Sequence, residues 1–243
     1  MEVRWAELVR GTERPLGIGL SGAMRCTIRV SGKVTGAILK KGPRAEIVAE
    51  AFCALLLRSW SLNVPDSYLI DIDGELAFAS ADATYPNLAQ RIGLNLIPEG
   101  TLEYDAVVRQ ACYLICNLPS APLAAVADEA ISNRDRNFGN VLWDGATEAW
   151  IDHAMSLGNG ASQMTDANKL CIMATHVDQS EKFSRSALAA WMLVDRSGPG
   201  TAGAAIKAIA DLDVPVSDIC NKLSTMGTRL LARFPAANDL LKS

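Results

Sequence analysis

The period of the apolar residues shifts along this chain, and that shift limits the folds open to it. Before about residue 80 they fall mainly in short alternating runs separated by turns, around one helical stretch; after it helical spacing dominates. Residues 25–30 and 34–40 flank Ser31-Gly32-Lys33, and this spacing predicts a hairpin. Within 44–60 the pattern is helical: Ile47, Val48, Ala51, Phe52, Leu55 and Leu56 share a face, and Pro43 marks the start. Strand character returns at 67–71 and 76–79 about the turn Asp73-Gly74, so the order is β-β-α-β-β. Helices are predicted over 101–117 and 122–132, then a polar run at 133–140 and a short hairpin with arms 141–143 and 149–151. From 165 onward the chain reads as helices broken near Ser197-Gly198-Pro199-Gly200 and Val214-Pro215. The expected architecture is α+β in two lobes, a β-rich one over 1–84 and a helical one over 85–243, with a cleft between them.

Composition narrows the function classes. With 243 residues, 49% of them apolar, the chain has ample material for a buried core, which argues against disorder. The balance of 23 basic and 27 acidic residues argues against a nucleic-acid-binding surface as the main design. No apolar run reaches the ~18 residues of a membrane helix, and the start lacks a basic-then-apolar leader, so a cytoplasmic protein is expected. Cys26, Cys53, Cys112, Cys116, Cys171 and Cys220 lie in apolar stretches without a CxxC pair, and His153 and His176 are the two histidines. Buried free thiols are expected, not a zinc site. The tryptophans at 5, 60, 143, 150 and 191 form no stripe and are expected in the core.

The polar run carries the chemistry. Asn133-Arg134-Asp135-Arg136-Asn137-Phe138-Gly139-Asn140 leads through the hairpin to Ile151-Asp152-His153. Phosphoryl transfer needs a carboxylate at the attacking hydroxyl and oxygen ligands for magnesium at the phosphates. Asp135 followed by Asn140 has the D-x-x-x-x-N spacing of such a loop, and the hairpin would return Asp152 beside Asn140. Singly, these residues read equally well as a turn Asp and a strand-end Asp.

The stretch resembles the core of the HipA-like kinases, which have a two-lobed protein-kinase-like fold and a likeness to phosphatidylinositol kinases. Their loop has the form D-R-x-x-x-N, and after a hairpin an I-D-H or I-D-N motif follows. The matches here are Asp135-Arg136 with Asn140, and Ile151-Asp152-His153. The resemblance implies Asp135 as the catalytic carboxylate, and Asn140 and Asp152 as magnesium ligands. Position 137 departs from the pattern: it is Asn where histidine is frequent, which puts in doubt any relay through that side chain. His153 is expected to support the metal loop by a hydrogen bond, and His176 to be an ordinary helix residue.

Three further parts are expected in the first lobe. Gly17-Ile18-Gly19-Leu20-Ser21-Gly22 is a G-x-G-x-x-G loop, and Gly17, Gly19, Ser21 and Gly22 are candidates to surround phosphates. A β-like stretch follows it, which disfavours a dinucleotide-binding reading. By the family likeness Ser21 is also a candidate self-phosphorylation site. Ala37-Ile38-Leu39-Lys40 resembles the lysine strand of kinases; Lys40 is the candidate for the nucleotide phosphates, with adjacent Lys41 on the opposite face as the alternative. Glu50 is the candidate helix carboxylate to pair with that lysine, with Glu46 as the alternative. The resemblance spans about residues 15 to 160 and implies an ATP- and magnesium-dependent serine/threonine protein kinase. It further implies a protein substrate, such as one connected with translation, and an antitoxin partner, with neither a membrane nor direct nucleic-acid binding expected. A lipid or small-molecule kinase and a nucleotide-binding pseudokinase are the competing readings.

Overall fold

The structure, a computed structural model, describes residues 2–17, 22–162 and 164–234. Strands β3 (Met24–Val30) and β4 (Lys33–Lys40) pair antiparallel around Ser31-Gly32, both at positive φ. A second hairpin, β5 (Ser67–Ile72) and β6 (Glu75–Ala81), turns at Asp73-Gly74, again with both central residues at positive φ. Such turns match the twist of the flanking strands, and glycine takes the second position without a Cβ penalty.

Two short strands escape the sequence pattern. These are β1 (Glu7–Leu8) and β2 (Arg14–Pro15), each paired with β3. Two residues are too few to show a period, and Pro15 would ordinarily argue against a strand except at an edge. The sheet runs β1-β3-β4-β6-β5, with β2 also on β3. The amide of Leu69 in β5 donates to the Arg4 carbonyl (2.9 Å), and the amide of Ala6 donates back to the Leu69 carbonyl (3.0 Å). The start of the chain thus links β5 to the β1 edge and closes the sheet on itself.

Strand alternation gives that sheet two buried faces. Cys26, Ile28, Ala37, Leu39, Tyr68, Ile70, Ala77 and Ala79 pack together inside it. Leu69 and Phe78 face the other way, against α1 (Arg44–Ser59). Residues 47–57 of that helix are buried on all sides, and Glu50 is the one carboxylate among them. A carboxylate in such surroundings requires a cation or donors.

The second lobe holds α2 (Leu88–Arg91), α3 (Leu102–Cys116), α4 (Ala121–Ala130), the hairpin β7 (Val141–Trp143)–β8 (Glu148–Trp150), then α5 (Lys169–His176), α6 (Ser180–Leu193), α7 (Gly198–Ile206), α8 (Asp213–Ser224) and α9 (Met226–Leu231). Thr101 caps α3, its hydroxyl accepting from the Tyr104 amide at 3.1 Å. The helices are broken near both expected places, α6 ending at Leu193 before α7 and α7 at Ile206 before α8. Pro199 and Pro215 sit in the first turns of α7 and α8, where a missing N–H costs no helical bond.

One apolar core runs through both lobes, joining Phe52 and Leu56 of α1 to Ile115, Trp150, Ala202 and Leu230. Five cysteines are buried as expected, but Cys220 is exposed because Ile219 and Leu223 take the inward face of α8. Trp5 also departs from expectation: it lies half out at the closing edge of the sheet. No single described helix is long and apolar enough to cross a membrane.

Candidate active site

Sheet register fixes which lysine turns inward. Lys40 pairs with Phe78 and shares its face, toward α1, whereas Leu39 points into the sheet interior. The Lys40 ammonium donates to the Glu50 carboxylate and, at 2.8 Å, to Oδ1 of Asp152. Lys41 is exposed, and Glu46 is half-buried in the first turn of α1 without an ion pair among the described residues. Of the two alternatives at each position, the structure brings Lys40 and Glu50 together.

Glu50 also reaches the second lobe. Its other oxygen accepts the His153 main-chain N–H at 3.0 Å, and the His153 ring lies 3.8 Å away. Burial would raise the Glu50 pKa, but the charge of Lys40 and the bonds from His153 outweigh it and hold the carboxyl below its usual range. For Lys40 burial acts in the lowering direction, and the two carboxylates overcome it and raise the pKa. The lysine therefore stays charged.

The loop that carries Asp135 is held from behind by α4. Asp128 near its end is buried and receives two parallel bonds from Arg136, at 2.8 and 2.9 Å, and one from the Asn133 side chain at 2.9 Å. The Arg136 Nη1 donates to the carbonyls of Asn140 (3.0 Å) and Ile151 (2.9 Å), and its guanidinium lies over the Trp150 ring. Val141 pairs with Trp150, and the Ile151 amide donates to the Asn140 carbonyl at 3.2 Å. These bonds place Asp152 one residue past the point where the two arms meet, beside Asn140.

Asp152 has φ +64°, an uncommon value for a residue other than glycine, which turns the chain sharply as it leaves β8. Asp135 is half-buried, and its carboxylate bonds no described residue. Burial, and then the nearby negative charge of Asp152, raise its pKa above the usual 3.8. The Asn140 amide nitrogen donates to the Asp135 carbonyl at 3.0 Å, leaving Oδ1 as the free acceptor. Asn137 is spent locally, its side chain accepting from the Gly139 amide and donating to the Asp135 carbonyl, so it reaches nothing beyond its own loop.

Gly17 and Gly22, both at positive φ, flank the expected phosphate loop, and β2 and β3 lie on either side of it. Gly19 and Ser21 lie outside the described residues. A hollow of about 320 Å³ opens beside Lys41, Arg44 and the β5–β6 turn, but no residue of 133–152 lines it, so it is separate from this cluster.

Sequence reasoning missed the buried carboxylates that hold the Asp135 loop from behind. Asp128 and Glu129 anchor Arg136 and Arg134, on either side of Asp135. The available signal was two adjacent carboxylates in the otherwise apolar stretch 121–131.

A closed β-lobe with one helix, joined to a helical lobe through a lysine–glutamate–aspartate contact, defines the two-lobed protein-kinase-like fold. The chain matches the crystal structure of the Helicobacter pylori proinflammatory kinase CtkA over 93% of its own length and 98% of that chain, at 15% identity and a TM-score of 0.56. It also matches HipA in the Shewanella oneidensis MR-1 complex of the toxin–antitoxin proteins HipA and HipB with operator DNA, at 12% identity and a TM-score of 0.48, covering 90% of this chain and 64% of that one. No family model matches the sequence, and no curated protein matches it. The fold is thus that of a solved kinase, in keeping with the HipA-like resemblance carried by the Asp135–Asp152 motif.

Proposed function

We propose that this protein is a phosphotransferase that moves the γ-phosphoryl group of ATP to a hydroxyl, most simply a serine or threonine of a protein. The observation that carries the reading is the meeting of Lys40, Glu50 and Asp152 across the two lobes, with Asp135 and Asn140 beside them. In the reaction the acceptor oxygen bonds to the γ-phosphorus, the bond from that phosphorus to the β-phosphate oxygen breaks, and ADP leaves. Magnesium supplies charge neutralisation at the phosphates.

The residues suit that ion. Asp152 and Asn140 offer oxygen donors, the ligand type a hard cation prefers, and Asn140 Oδ1 is left free by the bond its amide nitrogen makes. The mutual repulsion of the Asp135 and Asp152 carboxylates marks a place where added positive charge is favourable. Lys40 Nζ, fixed by Glu50, binds phosphate oxygens. Asp135 accepts a hydrogen bond from the acceptor hydroxyl and takes its proton, and its raised pKa makes it a better base than an exposed aspartate. The family resemblance adds an antitoxin as the partner to look for.

Thermal unfolding with ATP tests the nucleotide and metal roles. ATP with magnesium should stabilise the protein by ~2.7 kcal/mol at a hundred times Kd, and Asp152→Asn should lose the metal-dependent part. An equal shift with and without magnesium counts against Asp152 and Asn140 as the metal ligands.

A further inference from the structure

Among the described residues, a dense cluster of buried charge outside this site lies directly behind the Asp135 loop. Glu129, next to last in α4, is fully buried and accepts bonds from three guanidinium groups: Arg134 at 3.2 Å, Arg229 at 2.8 Å and Arg233 at 2.9 Å. Arg134 and Arg233 also share the Asp166 carboxylate, at 2.7 and 2.8 Å, and Arg233 donates to the Asp166 carbonyl at 2.8 Å. Packed apolar side chains would join these elements at least as stably as buried charges do, so stability alone does not account for the cluster.

Its placement offers a reason. Arg134 immediately precedes Asp135, so fixing its side chain fixes the main chain that presents the carboxylate. Asp166 lies near the end of the turn-rich segment 153–168, which begins at the Asp152 loop and ends at Asn168, the cap of α5. Arg229 and Arg233, from α9 and the turn after it, both reach back about a hundred residues to Glu129, and Arg233 also holds Asp166.

We propose that Arg229 and Arg233 are positioning residues for phosphoryl transfer. Acting through Glu129 and Asp166, they hold the main chain of Asp135 and the far end of the 153–168 segment at one point. The inference rests on the kinase reading, because it assigns the cluster a purpose in that reaction.

The test compares Arg233→Gln, Asp166→Asn and Asp166→Glu in the full chain, by steady-state transfer and by amide hydrogen exchange. Asp166 has a largely exposed side chain, so its variants should fold even if Arg233→Gln does not. Asp166→Asn should lower kcat about tenfold or more, as expected for a small misplacement of a reacting group. The KM for ATP should stay near wild type, because Lys40 and Asp152 are untouched. Asp166→Glu should recover much of kcat, and exchange across 133–140 should quicken in Asp166→Asn alone of the two. A wild-type kcat with unchanged exchange in Asp166→Asn overturns the inference. A wild-type protein that transfers no phosphate counts against the kinase reading, while the exchange measurement still decides whether the clamp holds the loop.

Discussion

At the scale of single residues, Lys40 is where two lobes and three charges meet, and its removal should show in stability before activity is measured. Lys40→Ala leaves Glu50 buried without its cation, which should cost about 3 kcal/mol at neutral pH. The Glu50 pKa is held below its ordinary 4.5 in the folded protein, so its ion pair stabilises the fold above that pH. That contribution is lost progressively as the pH falls from 4.5 toward the depressed folded-state pKa, where the buried carboxyl takes up its proton. The stability gap between wild type and Lys40→Ala, read by urea unfolding, should therefore be wide at pH 7 and clearly narrower at about pH 3, inside the window between the two pKa values. A gap of the same size at both would place the effect outside the Lys40–Glu50 pair.

At the scale of elements, α1 carries Glu50 and α7 packs against its far end. The start of α7 lies so close to α1 that a Cβ on Gly198 would come within 2.9 Å of both Ser59 Oγ and Trp60 Nε1. The Trp60 ring is itself held there, its Nε1 donating to the Asp195 carbonyl at 2.9 Å. Gly198→Ala should destabilise by about 1–3 kcal/mol as α7 is pushed outward, whereas Gly200→Ala, with open space around it, should cost far less. Equal melting temperatures for the two variants would show that the contact yields freely. The same elements show how much the sequence could reveal. The β3–β4 hairpin, α1 and the β7–β8 hairpin were legible because each has a clear period and a turn of definite chemistry. Alternation put Lys40 and Lys41 on opposite faces, and the family likeness chose between them; Glu46 and Glu50 share a helix face, so the choice there depended on which turn of α1 lies against the lysine, a tertiary fact. Strands β1 and β2 were not legible, being too short to show a period. The Glu129–Arg229–Arg233 cluster was invisible because its members lie about a hundred residues apart and no local pattern relates them.

At the scale of the whole molecule, the first lobe buries its sheet interior alone but depends on the second to cover α1. Phe52, Leu56 and Trp60 belong to the same core as Ile115, Trp150 and Leu230. Heat should therefore unfold the chain in a single transition, and a fragment of residues 1–84 should lack a cooperative one because that helix face would be left in water. Two separated transitions in the full chain would mean that the lobes are independent. The central claim, that the two lobes meet to transfer phosphate with Asp135 as the base, is tested most directly by incubating the protein with γ-labelled ATP, magnesium and a cell lysate. Wild type should label a protein, itself included, while Asp135→Asn should label none and melt no lower than wild type, since the raised Asp135 pKa means its ionised form does not stabilise the fold. Labelling by a folded Asp135→Asn variant at the wild-type rate would contradict the account.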